Sequence, residues 1–180
     1  MTGSEVFSST SLIDAFFSSS VRVDNLISQV IAQGGKVTSM GDDTWGKLFE
    51  VSVEYPCRTT FDIWDWNSCD ELIYGNLEPE IMNEDRSNLI IAHFLALDHI
   101  GHSTSSLTHD QFTTQKEKIS DYLETVIAHM KNNDLLLVTG DHGMRTDGNH
   151  GGSSPDEVET FLFVYSKSKK IINILPDLSL

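Results

Sequence analysis

At 180 residues the chain is long enough for one domain with its own core. Hydrophobic residues make up 39% and charged residues 22%, no apolar run reaches the roughly 18 residues that span a bilayer, and residues 1–11 lack the basic and apolar regions of a signal peptide. A net charge of −15, from 27 acidic and 12 basic residues, argues against nucleic acid and anionic lipid as electrostatic partners.

Residues 22–33 place Leu26, Ile27, Val30 and Ile31 on one face and predict a helix, which Gly34-Gly35 stops. Residues 36–40 read as a short strand, and Gly41-Asp42-Asp43-Thr44 as the loop at its end. The stretch 55–69 is aromatic and shows no clear period. Residues 70–83 predict a helix broken near Pro79. A continuous apolar strand follows at 89–95 and runs into Asp98. Residues 110–131 give the clearest helix, with Phe112, Ile119, Leu123, Val126, Ile127 and Met130 on one face and Asn132-Asn133 as its stop. A second apolar strand at 135–139 leads into Gly140-Asp141-His142, and a last strand covers 160–165. The tail after Ser166 is basic, then apolar, without a clear pattern.

Strands alternating with helices predict an α/β fold with a mostly parallel sheet flanked by helices. Both apolar strands are continuous enough to be buried on both faces. Ligand sites of such sheets form beyond the carboxyl ends of the strands, where Asp98 and Asp141 both lie.

Four of the seven histidines fall in three short clusters: Asp98-His99-Ile100-Gly101-His102, Asp141-His142-Gly143 and Asn149-His150-Gly151-Gly152. Aspartate and histidine are the usual oxygen and nitrogen ligands of a divalent metal such as zinc. Asp98 and His102, four residues apart, point at one metal if the segment is helical. Glycines flank Asp141-His142 and His150, allowing sharp turns and close backbone approach. Each cluster alone also fits a polar surface loop, but the three together define a metal site that needs Asp98, His102, Asp141, His142 and His150. His99 reads as a residue that orients a ligand or touches substrate. His93, inside a strand, reads as a core residue, His109 as part of a helix start and His129 as a helix C-terminal charge. Asp42 and Asp43 suggest a further metal or substrate contact, although a loop leading into a capped helix accounts for them better. Cys57 and Cys69 read as two buried thiols or one disulfide, with thiols preferred.

The segments 93–102 (HFLALDHIGH), 140–144 (GDHGM) and 148–154 (GNHGGSS) resemble the glycosylphosphatidylinositol (GPI) ethanolamine-phosphate transferases of the alkaline phosphatase superfamily. Gly41-Asp42-Asp43-Thr44-Trp45, Asp24-Asn25-Leu26-Ile27 and Thr2-Gly3-Ser4 are similar to the same family, and the resemblance covers about residues 1–168. Residues 91–95 and 163–166 look like the type that modifies the third mannose, which is favoured; residues 148–154 look more like the second-mannose type.

The resemblance implies an alkaline phosphatase-like fold of the phosphodiesterase/sulfatase type and two divalent metals, most simply zinc. Asp98, His102 and His150 would hold one; Asp141 and His142 would supply half of the other. It implies phosphatidylethanolamine as donor, a mannose of the GPI precursor as acceptor, a membrane partner subunit, and the lumenal face of the endoplasmic reticulum membrane. In the family an upstream aspartate and a threonine nucleophile complete the second site, and they have no counterpart here. The family's membrane segments have none either, and Ser103-Thr104-Ser105-Ser106 replaces its usual Gly-Pro. Residues 1–168 are therefore expected to form a partial catalytic domain without its nucleophile segment, and 169–180 a tail without an assigned role. Two other functions compete: a metal-dependent phosphodiesterase of the same superfamily, and a metal-binding remnant without turnover.

Overall fold

The computed structural model describes residue 21 and residues 23–168. Thr2-Gly3-Ser4 and the tail 169–180 lie outside the described residues. The elements in chain order are α1 (Leu26–Ala32), β1 (Val37–Gly41), α2 (Thr44–Leu48), β2 (Val53–Pro56), α3 (Ser68–Met82) and β3 (Leu89–His93). They continue with α4 (Ala96–Thr104), α5 (Asp110–His129), β4 (Leu136–Thr139), α6 (Pro155–Val158) and β5 (Leu162–Tyr165).

Three strands form a parallel sheet in the order β2-β1-β3. This is the predicted α/β architecture, with helices packed against a parallel sheet. Central β1 is fully buried from Val37 to Met40 because strands flank it on both sides and α3 packs against it. Met40 meets Ile73, Leu77 and Ile81 of α3 and Val126 of α5 in the main core. Each such burial is worth about 1.5–3 kcal/mol of apolar transfer.

Helix α3 departs from expectation by running through Pro79 to Met82. A proline removes one intrahelical hydrogen bond and crowds the carbonyl four residues back. That position is Gly75, and Ile73, Leu77 and Ile81 remain buried on one face on both sides of the proline. Their packing outweighs the local cost. Helix α5 holds the predicted position, but its most buried residues include Gln115 as well as Val126.

Strand β4 corrects a second expectation. It lies outside the parallel sheet and pairs with β5 in an antiparallel two-stranded ladder, Leu136 opposite Tyr165 and Thr139 opposite Leu162. A parallel pairing needs a long crossover, usually a helix. The 140–161 connection contains only the single turn of α6 and uses its remaining residues for the glycine-rich loop. Nor is β4 buried on both faces: Leu137 is 53% exposed.

Cys57 and Cys69 form a disulfide, so the preference for free thiols was wrong. It joins the loop after β2 to the first turn of α3, and both residues pack with Leu95 in a small second core.

Candidate metal centre

Helix α4 presents the first two ligands. Its start is fixed from another element: Asp70 of α3 accepts the backbone N–H groups of Leu95 (2.9 Å) and Ala96 (3.1 Å) through Oδ1. The same carboxylate accepts the Gln115 amide of α5 (2.8 Å) through Oδ2. Burial pushes the Asp70 carboxyl above its ordinary range, against the opposing pull of these bonds. Asp70 thus caps a helix whose own N-cap, Leu95, has no side chain able to do so. Held in this way, α4 places Asp98 and His102 one turn apart on one face, with His102 Nε2 3.4 Å from Asp98 Oδ1.

The glycine loop supplies His150. Gly148 has φ +74°, and a Cβ built there would lie 2.0 Å from the Gly101 carbonyl oxygen. Gly101 itself lies against Met144. The loop therefore packs backbone to backbone on α4, at positions where no side chain fits. That contact carries His150 to His102, Nε2 to Nε2 at 2.9 Å, and to 3.1 Å from Asp98 Oδ1. Downstream, the Glu157 carboxylate accepts Gly152 N–H and Ser154 N–H and anchors the end of the loop.

His142 joins from the exit of β4. Its Nδ1 lies 2.9 Å from the Gly143 carbonyl, which can only accept, so Nδ1 carries a proton and, in the neutral ring, the lone pair is on Nε2. Its ring stacks on His150 at 3.8 Å between centroids. One potential ligand atom from each of Asp98, His142 and His150 fits within a mutual spread of 4.8 Å.

Two features fit a divalent cation here. Asp98 Oδ1 is buried without a hydrogen bond, although two imidazoles lie beside it. Burial, reinforced by His142, holds His150 below the ordinary histidine pKa and favours the neutral imidazole that can ligate a metal. One carboxylate and three imidazoles form a donor set suited to zinc.

Asp141 borders this cluster, with Oδ2 3.7 Å from His142 Nε2 and 3.7 Å from His93 Nε2. Contact with His93 holds its carboxyl down, to about 2, despite partial burial. His93 lies at the end of β3, opposite Gly41, and bridges to the Asp42 loop. Its Nδ1 accepts the Trp45 indole N–H at 3.1 Å and lies 3.5 Å from Asp42 Oδ2. Burial works to lower the His93 pKa, but Asp141, Asp42 and Asp98 together raise it.

The structure thus gathers Asp98, His102, His142 and His150, sets Asp141 beside them and reaches Asp42 through His93. It does not bring Asp43 in: that carboxylate pairs with Lys47 at 2.7 Å. His99 also points elsewhere. It is buried, with its two ring nitrogens 2.9 Å from the carbonyls of Asp65 and Thr60, and ties α4 to the loop before α3. Sequence reasoning missed two residues. His93, read as core from its apolar strand, is mostly buried as expected, but it also lies beside Asp141 and Asp42; its position at a strand end is the signal for that. Asp70 gave no signal, since only the fold brings it to residue 95.

Fold and cluster together define an α/β chain with an Asp/His cluster that could hold a metal ion, beyond the ends of strands β3 and β4. No family model matches the chain. It is 36% identical over 155 residues to the catalytic subunit of GPI ethanolamine phosphate transferase 3 of Homo sapiens, covering 84% of this chain and 14% of that protein. It is 31% identical over 152 residues to GPI ethanolamine phosphate transferase 3 of Saccharomyces cerevisiae (82% and 15%). To GPI ethanolamine phosphate transferase 2 of Aspergillus fumigatus it is 36% identical over 149 residues (79% and 19%). The chain is thus similar to GPI ethanolamine phosphate transferases of both type 2 and type 3, and these similarities do not separate the two types. The chain spans less than a fifth of the length of these relatives.

Proposed function

We propose that the chain serves phosphoethanolamine transfer to a mannose of the GPI precursor, with phosphatidylethanolamine as donor and the third mannose favoured as acceptor. The observation that carries this reading is the convergence of Asp98, His142 and His150, with His102 beside them, from three segments: α4, the exit of β4 and the glycine loop. Relatives of the chain are named GPI ethanolamine phosphate transferase 3.

Zinc is the metal the donor set favours, with Asp98, His102 and His150 as one ligand set and Asp141 and His142 as part of a second. When bound, such ions supply charge stabilisation for a transferring phosphoryl group and for the oxygens that enter and leave. The chain's own residues prepare the place. Asp70 fixes the helix that carries two ligands, Gly148 permits the third to arrive, and the Gly143 carbonyl sets the His142 tautomer. The Cys57–Cys69 disulfide supports an oxidising compartment, as on the lumenal face of the endoplasmic reticulum membrane. No helix among the described residues is long and apolar enough to cross a membrane. A membrane partner subunit belongs to the same proposal.

The test is transfer of labelled head group from phosphatidylethanolamine to a GPI precursor by the zinc-loaded chain. Transfer that disappears in His102→Ala supports the proposal. Zinc binding without transfer favours the metal-binding remnant instead, and release of phosphoethanolamine to water alone favours a phosphodiesterase.

A further inference from the structure

Asp141 is the most exposed acidic member of the cluster, its side chain 63% accessible against 29% for Asp98. An exposed carboxylate loses conformational freedom when it ligates, so a group that holds it in place strengthens binding. One oxygen is already occupied: Oδ1 accepts the backbone N–H of His142 at 3.1 Å. The other, Oδ2, faces two imidazole nitrogens, each at 3.7 Å. These are not equivalent. The Gly143 carbonyl holds a proton on His142 Nδ1, so in the neutral ring Nε2 has none to offer.

His93 is fixed in the opposite sense. The indole N–H of Trp45 is a donor and never an acceptor, and it points at His93 Nδ1. In the neutral ring Nδ1 accepts that N–H, so the proton sits on Nε2, which faces Asp141; Asp42 Oδ2 lies 3.5 Å from the same Nδ1, and in the charged ring Nε2 still carries a proton toward Asp141. Trp45 is itself held by stacking on Phe49, with ring centroids 5.6 Å apart. The route from α2 through β3 to the exit of β4 therefore runs from Trp45 through His93 to Asp141. It also gives the Asp42-Asp43-Thr44-Trp45 segment a role through its tryptophan.

We propose that His93 is a positioning residue, whose Nε2–H, with the tautomer set by Trp45, orients the Asp141 carboxylate for metal binding. This rests on the reading of Asp141 as a ligand. His93 acts through Asp141 and does not bind the metal itself.

The test is calorimetric titration of zinc into the chelator-stripped full chain, alongside the visible spectrum of the cobalt(II) form. His93→Leu is expected to weaken the affinity by about 10–100-fold, the usual effect of losing a group that orients a ligand. His93→Gln, which keeps an N–H donor, is expected to recover most of that loss and the cobalt spectrum. Trp45→Phe keeps the stacking ring, loses the indole N–H and is expected to fall between. Equal affinities for His93→Leu and wild type overturn the proposal, as do equal losses for the Leu and Gln variants. If His93→Leu does not fold, unchanged affinity in Trp45→Phe overturns it. A wild-type chain that takes up no metal overturns this proposal together with the metal-site reading, whereas metal uptake indifferent to His93 overturns this one alone.

Discussion

His102 and His150, 48 positions apart in the chain, face each other Nε2 to Nε2 at 2.9 Å, with Asp98 Oδ1 beside both. Two imidazoles turn the same atom toward one point when that point is a shared ligand position, or when a single proton lies between them. The lowered pKa of His150 and the unbonded Asp98 oxygen favour the first.

Gly148 makes that meeting possible, and its replacement separates fold from site. Gly148→Ala places a Cβ against the Gly101 carbonyl and puts a side chain at φ +74°. The conformational strain alone costs about 1–2 kcal/mol. The loop is expected to lift off α4, with a large loss of zinc affinity by calorimetry and a small drop in melting temperature.

Asp70→Ala strips the cap from the helix that carries Asp98 and His102, and leaves the Gln115 amide without its partner. The expected loss is about 1–3 kcal/mol, read from the urea midpoint. Asp70→Asn keeps an acceptor for the helix start and is expected to lose less.

The Cys57–Cys69 disulfide closes a short loop, with the cysteines 12 positions apart. Cross-links over loops of this size contribute about 2–3 kcal/mol. Reduction, or Cys57→Ser with Cys69→Ser, is expected to lower the urea midpoint correspondingly and to leave the β1–β3 register unchanged.

Arg86 and Asp134 tie the end of α3 to the start of β4, through Arg86 Nη1 to Asp134 Oδ2 at 2.9 Å and a second contact at Nη2. Burial works to raise the Asp134 pKa, but the Arg86 hydrogen bond and charge and the Lys131 N–H bring it below its ordinary value of 3.8. A depressed native pKa means that this stabilisation is complete above the unfolded-state value and is lost as pH falls through the native one. Arg86→Met is expected to lower stability near neutral pH and to flatten its decline below about pH 4, the unfolded carboxylate range.

How much of this was legible in sequence follows from range. Hydrophobic period and glycine stops located β1, β3 and α5 because those signals are local. The ligands were legible because Asp and His recurred beside glycine in three short segments. The separate β4–β5 ladder was not, because strand pairing depends on what the 140–161 connection can span. The Asp70 cap was invisible for the same reason, being a contact 25 positions long. His93 reads as core from its apolar strand and is mostly buried; its neighbours Trp45, Asp42 and Asp141 come from distant segments that only the fold brings together.

Calorimetric titration of zinc into the chelator-stripped full chain tests the metal centre most directly, with His150→Ala as the paired variant. The account predicts at least one zinc bound per wild-type chain, and a loss of affinity of tenfold or more in the variant, equivalent to about 1.4 kcal/mol or more. No zinc uptake by the folded wild-type chain, or equal affinities for the two, would contradict it.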